Sequence, residues 1–120
     1  MVKKAVSYVK SVGWKKAIPE LKNPKGKFVY KDLYVFITDL DGFCLIHPIM
    51  HSLAGKNQRG IKDADGKFFI KEQAQIAKAK GSGTVIYRWP NPQTKKIEQK
   101  ETYFEVVDRE IIVNCGYYKL

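Results

Sequence analysis

The stretch Lys80–Tyr103, KGSGTVIYRWPNPQTKKIEQKETY, narrows the possible folds more than any other part of the chain, because it reads as a β-hairpin. Gly81 and Gly83 end whatever helix precedes it. Thr84 to Trp89 is a β-branched and aromatic run that favours a strand. Pro90, Asn91 and Pro92 stop it, since proline offers no N–H to a ladder and pushes the residue before it out of the helical region. Gln93 to Lys96 form a polar crossing, and Ile97 to Val107 run back as a second strand. Alternation puts Val85, Tyr87 and Trp89 on one face and Ile86 and Arg88 on the other. Two large aromatics with polar handles on one face suit a pocket wall; the plainer reading is that they pack a core.

A chain of 120 residues is the usual size of one domain and long enough for a core without disulfides. No apolar run approaches the length of a membrane-crossing helix. The basic start Met1–Lys4 is not followed by a continuous apolar stretch, because Lys10, Lys15 and Lys16 interrupt it, so no intact signal peptide is visible. The residues leave open a cytoplasmic protein and an exported one in mature form. The net charge of +10 raises the question of nucleic acid. The charge is mostly lysine spread along the chain, with only Arg59, Arg88 and Arg109 to supply the guanidinium forks that base and phosphate recognition favour. With no helix-turn-helix and no zinc spacing, the charge reads as a solvated surface. Cys44 and Cys115 lie far apart in apolar strand patterns, without a C-x-x-C, and read by default as buried free thiols, with a disulfide as the alternative in an oxidising compartment.

Along the chain, Val2, Ala5, Val6, Val9 and Val12 recur at helical spacing up to Gly13, and Trp14 to Leu21 add a further turn broken by Pro19. Asn23 to Gly26 form a turn. Lys31 to Thr38 is a strong strand with Tyr34, Phe36 and Thr38 on one face. Asp39–Leu40–Asp41–Gly42 is a tight hairpin turn, Phe43 to Ile46 the return strand, and His47–Pro48 closes it. Ile49 to Gly66 has no clean periodicity, and a loop of this length in a compact domain is more often functional than not. Phe68 to Lys80 is helical, the hairpin follows, and Glu110 to Tyr118 is the last strand. The order helix, two strands, loop with helix, three strands, joined by short turns, makes an α+β domain with a mostly antiparallel five-stranded sheet.

DLYVFITDLDGFCLIHP, LAGKNQRGIKDADGKFFIKE, AKGSGTVIYRWPNPQTKKIEQKETYFEVV and IIVNCGYYK together resemble the single Cache domain of bacterial extracytoplasmic sensors, most of all its small free-standing form. The resemblance covers nearly the whole chain. It implies one domain over 1–120, with an N-terminal helix over about 1–18 and sheet and cover over about 28–119. It implies a PAS-like five-stranded antiparallel sheet, a long N-terminal helix across one face, and the loop and short helix enclosing a small pocket on the other. It also implies a small organic acid or similar polar metabolite as ligand, outside the cytoplasmic membrane, with sensing or chemotaxis as the purpose. A membrane receptor or a second copy of the chain would be the protein partner. The chain carries no membrane helix and no output domain, which fits a periplasmic binding protein or a domain taken from a receptor. The competing reading is a basic protein-interaction or nucleic-acid module without a small ligand. The resemblance also sets the second and fifth strands on either side of the first. That separates Cys44 from Cys115 by two strand spacings, about 9.5 Å, beyond the roughly 7 Å a disulfide spans.

The expected ligand set is Phe36, His47, Arg59, Tyr87, Trp89, Lys100 and Tyr103. His47 ends the second strand beside the loop. Lys100 faces the strand that carries Tyr87 and Trp89, where a cation could receive a carboxylate. Tyr103 belongs to the family motif but sits three residues from Lys100, so either a bulge intervenes or only one of them lines the pocket. Arg59, in the covering loop, is the alternative anion clamp. No cofactor and no metal are expected: Asp63–Ala64–Asp65–Gly66 with Glu72 imitates a calcium loop, but Ile61 stands at the first ligand position, and a turn capped by aspartate is the better reading. Ser52, His51 and His47 lack any orienting carboxylate, so no catalysis is expected.

Overall fold

The structure is a computed structural model that describes residues 1–30, 33–91 and 93–118. Lys31 and Asp32, assigned above to the first strand, Pro92 of the hairpin crossing, and the last two residues lie outside them.

Two helices open the chain. α1, Val2–Val12, buries Val2, Ala5 and Val9 along one stripe. It ends at Gly13, whose φ of 87° suits glycine and whose N–H donates to the Val9 carbonyl at 2.8 Å. α2, Trp14–Lys22, buries Ala17 and Leu21. The stop expected at Gly13 is present and divides the long N-terminal helix that the resemblance implies into α1 and α2, while Pro19 lies inside α2 rather than breaking it. In so short a helix proline removes one internal hydrogen bond, and the burial of Ala17 and Leu21 on either side of it holds the turn.

The strands are β1 (Val29–Tyr30), β2 (Leu33–Asp39), β3 (Cys44–Ile46), β4 (Ser82–Pro90), β5 (Ile97–Val107) and β6 (Ile111–Tyr118). They form one six-stranded sheet in the order β1-β2-β6-β5-β4, with β3 also on β2 and every pair antiparallel. The five expected strands are β2 to β6. The two-residue β1 is an addition too short to show a period. Cys44 on β3 and Cys115 on β6 flank β2 from its two edges, and both thiols are free.

β4 and β5 pair without a register shift from Ser82↔Glu105 to Pro90↔Ile97, so no bulge intervenes. Pro90 is still part of β4; β4 ends the strand order, and an edge strand tolerates proline. The turn is closed by Asn91, whose N–H donates to the Lys96 carbonyl at 2.9 Å and whose Oδ1 accepts the Gln93 N–H at 2.8 Å.

Alternation splits the core across the sheet. One layer packs Val35, Ile37, Val113 and Val107 against α1 and α2. The other packs Val85, Tyr87, Phe104 and Ile112 against Phe69, Ile70 and Ala77 of α3, Phe69–Lys80. Between β3 and α3, residues 49–66 form a cover that includes a short 3-10 turn, His51–Leu53. Backbone bonds stitch this cover to the β3 hairpin: Cys44 N–H to Lys56 C=O at 2.9 Å, Gly55 N–H to Cys44 C=O at 2.7 Å, and Gln58 N–H to Gly42 C=O at 2.7 Å.

Candidate functional site

The strand period decides what the α3 side of the sheet presents. On β5, Lys100, Thr102 and Phe104 share that face and are buried, opposite Tyr87 and Val85 of β4. On β2 the same face carries Tyr34 and Phe36. The result is a lysine enclosed by rings. Its Nζ lies 4.6 Å from the Tyr34 centroid, 4.9 Å from Phe36, 5.4 Å from Tyr118 and 5.7 Å from Tyr87. It donates one hydrogen bond, to the Tyr34 hydroxyl at 3.0 Å. The side chain is 1% exposed, and among the described residues no carboxylate reaches it. Each ring offers about 0.5–2 kcal/mol of cation–π attraction, whereas removing an ammonium from water costs several kcal/mol even after relaxation. The imbalance appears in its acidity: burial drives the Lys100 ammonium down from 10.5 to about 7.

His47, at the end of β3, stacks on Phe36 at 5.4 Å and tilts against Tyr34 at 4.9 Å. Its Nδ1 accepts the Met50 N–H at 2.9 Å, which assigns the remaining proton of the neutral ring to Nε2. Burial first, then the Lys100 charge, lower its pKa to about 3, so the ring is a neutral donor across the ordinary pH range. Tyr87 stacks on Phe69 at 4.1 Å and shares a 2.8 Å hydrogen bond with Thr102; Trp89 meets both rings edge-on.

Phe36, His47, Leu53, Gln58, Phe69, Tyr87, Trp89 and Lys100 enclose a cavity of about 10 Å³, room for roughly one water. One cleft adjoins it at His47, of about 200 Å³ and also lined by His51 and Ala54; a separate cleft of about 260 Å³ is lined by Tyr34, Ile49, Met50 and Pro90. A larger groove of about 670 Å³ beside α1 is lined mostly by exposed side chains such as Lys4, Ser7 and Lys27, and lacks the buried polar anchors of a ligand site.

Of the seven expected residues, the structure brings five together: Phe36, His47, Tyr87, Trp89 and Lys100. Two stand elsewhere. With no bulge in β5, Tyr103 has the opposite parity to Lys100 and packs with the α1 and α2 layer. Arg59 is exposed, its stem lying over Gly42, where an added Cβ would meet Arg59 Cγ at 2.2 Å. Its register in an aperiodic loop could not be read from sequence. The same loop brings in Gln58, which sequence reasoning missed: 3% exposed, lining the cavity, with a side-chain amide that makes no hydrogen bond among the described residues. Asp63 caps a turn, as expected. Its Oδ1 accepts the Asp65 and Lys67 N–H groups at 3.0 and 2.8 Å, and its Oδ2 the Arg88 N–H of β4 at 2.9 Å. Burial raises its carboxyl, but these three donors outweigh that and hold it below the ordinary range.

A family model described as Cache domain matches residues 6–109. The chain belongs to the Cache domain family. This Cache domain is 35% identical over 89 residues to the sensor histidine kinase MctS of Rhizobium johnstonii, covering 73% of the chain and 19% of that protein. It is 31% identical over 75 residues to the methyl-accepting chemotaxis protein McpP of Pseudomonas putida, covering 62% of the chain and 14% of that protein. The chain thus spans less than a fifth of the length of these curated relatives. Among solved structures, it superposes with a TM-score of 0.82 and 26% identity on a methyl-accepting chemotaxis protein from Vibrio parahaemolyticus, covering 97% of this chain and 82% of that one. It superposes with a TM-score of 0.78 and 27% identity on a Cache chemosensory domain that recognises carboxylic acid, covering 98% of this chain and 83% of that one. Cache domains of this kind sit in chemoreceptors and sensor kinases. Among the described residues no helix is long and apolar enough to cross a membrane.

Proposed function

We propose that this chain is one Cache sensor domain that binds a small organic monoanion, such as a two- or three-carbon carboxylate, through Lys100. The observation that carries the reading is the buried ammonium without a carboxylate partner among the described residues. An arriving carboxylate supplies the missing counter-charge, and a bond between two ionised groups is stronger than the ammonium–phenol bond it joins. One ammonium neutralises one charge, and walls of Phe36, Tyr87 and Trp89 suit a short apolar tail. The His47 Nε2–H and the Gln58 amide line the same cavity and make no hydrogen bond among the described residues.

The cavity holds about one water, so an acid takes its place by pushing the wall outward into the cleft that adjoins it at His47. Leu53 and Gln58 belong to the 49–66 cover, and their displacement is how occupancy reaches the rest of a receptor. The domain holds its ligand without turning it over, acts outside the cytoplasmic membrane, and reports to a chemoreceptor or kinase. The likeness to a carboxylic-acid-recognising Cache domain supports the ligand class. Calorimetry with acetate, propionate, lactate, pyruvate, amino acids and urea tests the reading, with Lys100→Ala as the variant. The bond to a buried charge contributes about 1.5–3 kcal/mol, so that variant binds roughly tenfold to a hundredfold more weakly.

A further inference from the structure

We infer that Gly116 is a positioning residue for the Lys100 ammonium, because the lysine stem reaches Tyr34 only by crossing the bare backbone that glycine leaves on β6. The registers set up the crossing. Gly116 pairs with Tyr34 of β2 on one side and with Thr102 of β5 on the other. Lys100 starts on β5, opposite Tyr118, and its Nζ bonds the Tyr34 hydroxyl on β2, so the side chain spans β6. A Cβ at Gly116 would stand 2.3 Å from Lys100 Cε, 3.0 Å from Lys100 Cγ and 2.7 Å from Thr102 Oγ1.

The glycine is there for space and not for backbone freedom, since its φ lies outside the left-handed region in which other residues are strained. Alanine therefore fits the strand, and the strain falls on two neighbours. The lysine stem must lift off β6, which takes the ammonium away from Tyr34. Thr102 must turn, which disturbs the 2.8 Å hydrogen bond it shares with Tyr87. Any larger residue does the same more strongly. One absent methyl group on β6 thus sets where positive charge sits beneath the aromatic walls.

The functional meaning of this assignment rests on Lys100 being the ligand anchor, but its geometry can be tested without any ligand. Melting temperatures are measured for the wild type, Gly116→Ala, Lys100→Ala and the double variant. The Lys100 Cε signal is followed by NMR through a pH titration, and binding of acetate and propionate is measured by calorimetry. If Gly116 makes room for Lys100, Gly116→Ala lowers the melting temperature by at least twice as much in the wild type as in the Lys100→Ala background. It also moves the Lys100 titration midpoint toward that of an ordinary lysine, and weakens acid binding to within about threefold of Lys100→Ala. An equal loss of melting temperature in both backgrounds, with an unmoved Lys100 titration, overturns the assignment. Coupled stabilities in a wild type that binds no acid support the positioning and sink the ligand reading alone. Should Gly116→Ala fail to fold, recovery of folding in the double variant is the same coupling in its strongest form, and failure of the double variant too overturns it.

Discussion

Replacing Lys100 by methionine should make the ligand-free domain more stable while removing its binding. Methionine keeps most of the stem's volume and packs well against rings. The ammonium it removes is 1% exposed and is driven from 10.5 to about 7 by burial. At about 1.4 kcal/mol per pKa unit, the charged lysine destabilises the fold by on the order of 5 kcal/mol relative to its neutral form. Part of that is regained in the variant only after losing the Tyr34 hydrogen bond, about 1 kcal/mol, so the net gain is roughly 2–5 kcal/mol, or on the order of 10 °C in Tm. The pH dependence fixes the cause. The folded value lies below the unfolded one, so between about 7 and 10.5 the unfolded chain binds more protons and wild-type stability rises with pH. Below about pH 7 the full penalty stands; toward pH 10.5 it vanishes. Thermal melts of both proteins at pH 6 and pH 10, without ligand, should show a wide gap at the lower pH and a narrow one at the higher. A Lys100→Met protein less stable than wild type at pH 6, or a gap that does not change with pH, refutes the reasoning.

His47 should remain neutral, with the proton on Nε2, from pH 7 down to pH 5, because its folded value is about 3; a ring titrating near 6.5 in nitrogen-resolved NMR contradicts this. The same depression means that His47 favours the fold fully above its ordinary value of 6.5 and progressively less as pH falls toward 3. Asp63→Ala removes the acceptor of three backbone N–H groups and the tie from the cover to β4. It should cost about 1–3 kcal/mol and speed hydrogen exchange at the Arg88 amide; unchanged melting and exchange would show that the tie carries no weight.

What could be read from the sequence was whatever a strand period carries. Tyr87, Trp89 and Lys100 sit in long, regular strands, so their shared face followed from counting by twos, as did the conflict between Lys100 and Tyr103. The period of β2 put Phe36 on one face with Tyr34, and the tight Asp–Gly turn that fixed where β2 ended and β3 began put His47 beside the cover. The cover is different. Its path is set by backbone bonds to the β3 hairpin and by Asp63 reaching β4, contacts that leave no periodic trace. Arg59 was therefore credited with a pocket role and Gln58 overlooked, although they are adjacent. Pro19 misled for a related reason: its local cost is one hydrogen bond, and burial of Ala17 and Leu21 outweighs it. Gly116 was legible only as a glycine in a strand; that it clears a path for a side chain from the neighbouring strand needs the register.

The most direct test of the central claim is a calorimetric titration of the wild type and Lys100→Ala with short monocarboxylates at pH 6, where Lys100 is charged. The account expects at least one acid to bind the wild type and to bind Lys100→Ala roughly tenfold to a hundredfold more weakly. An acid that binds both proteins equally well would contradict it, and so would a wild type that takes up none of them.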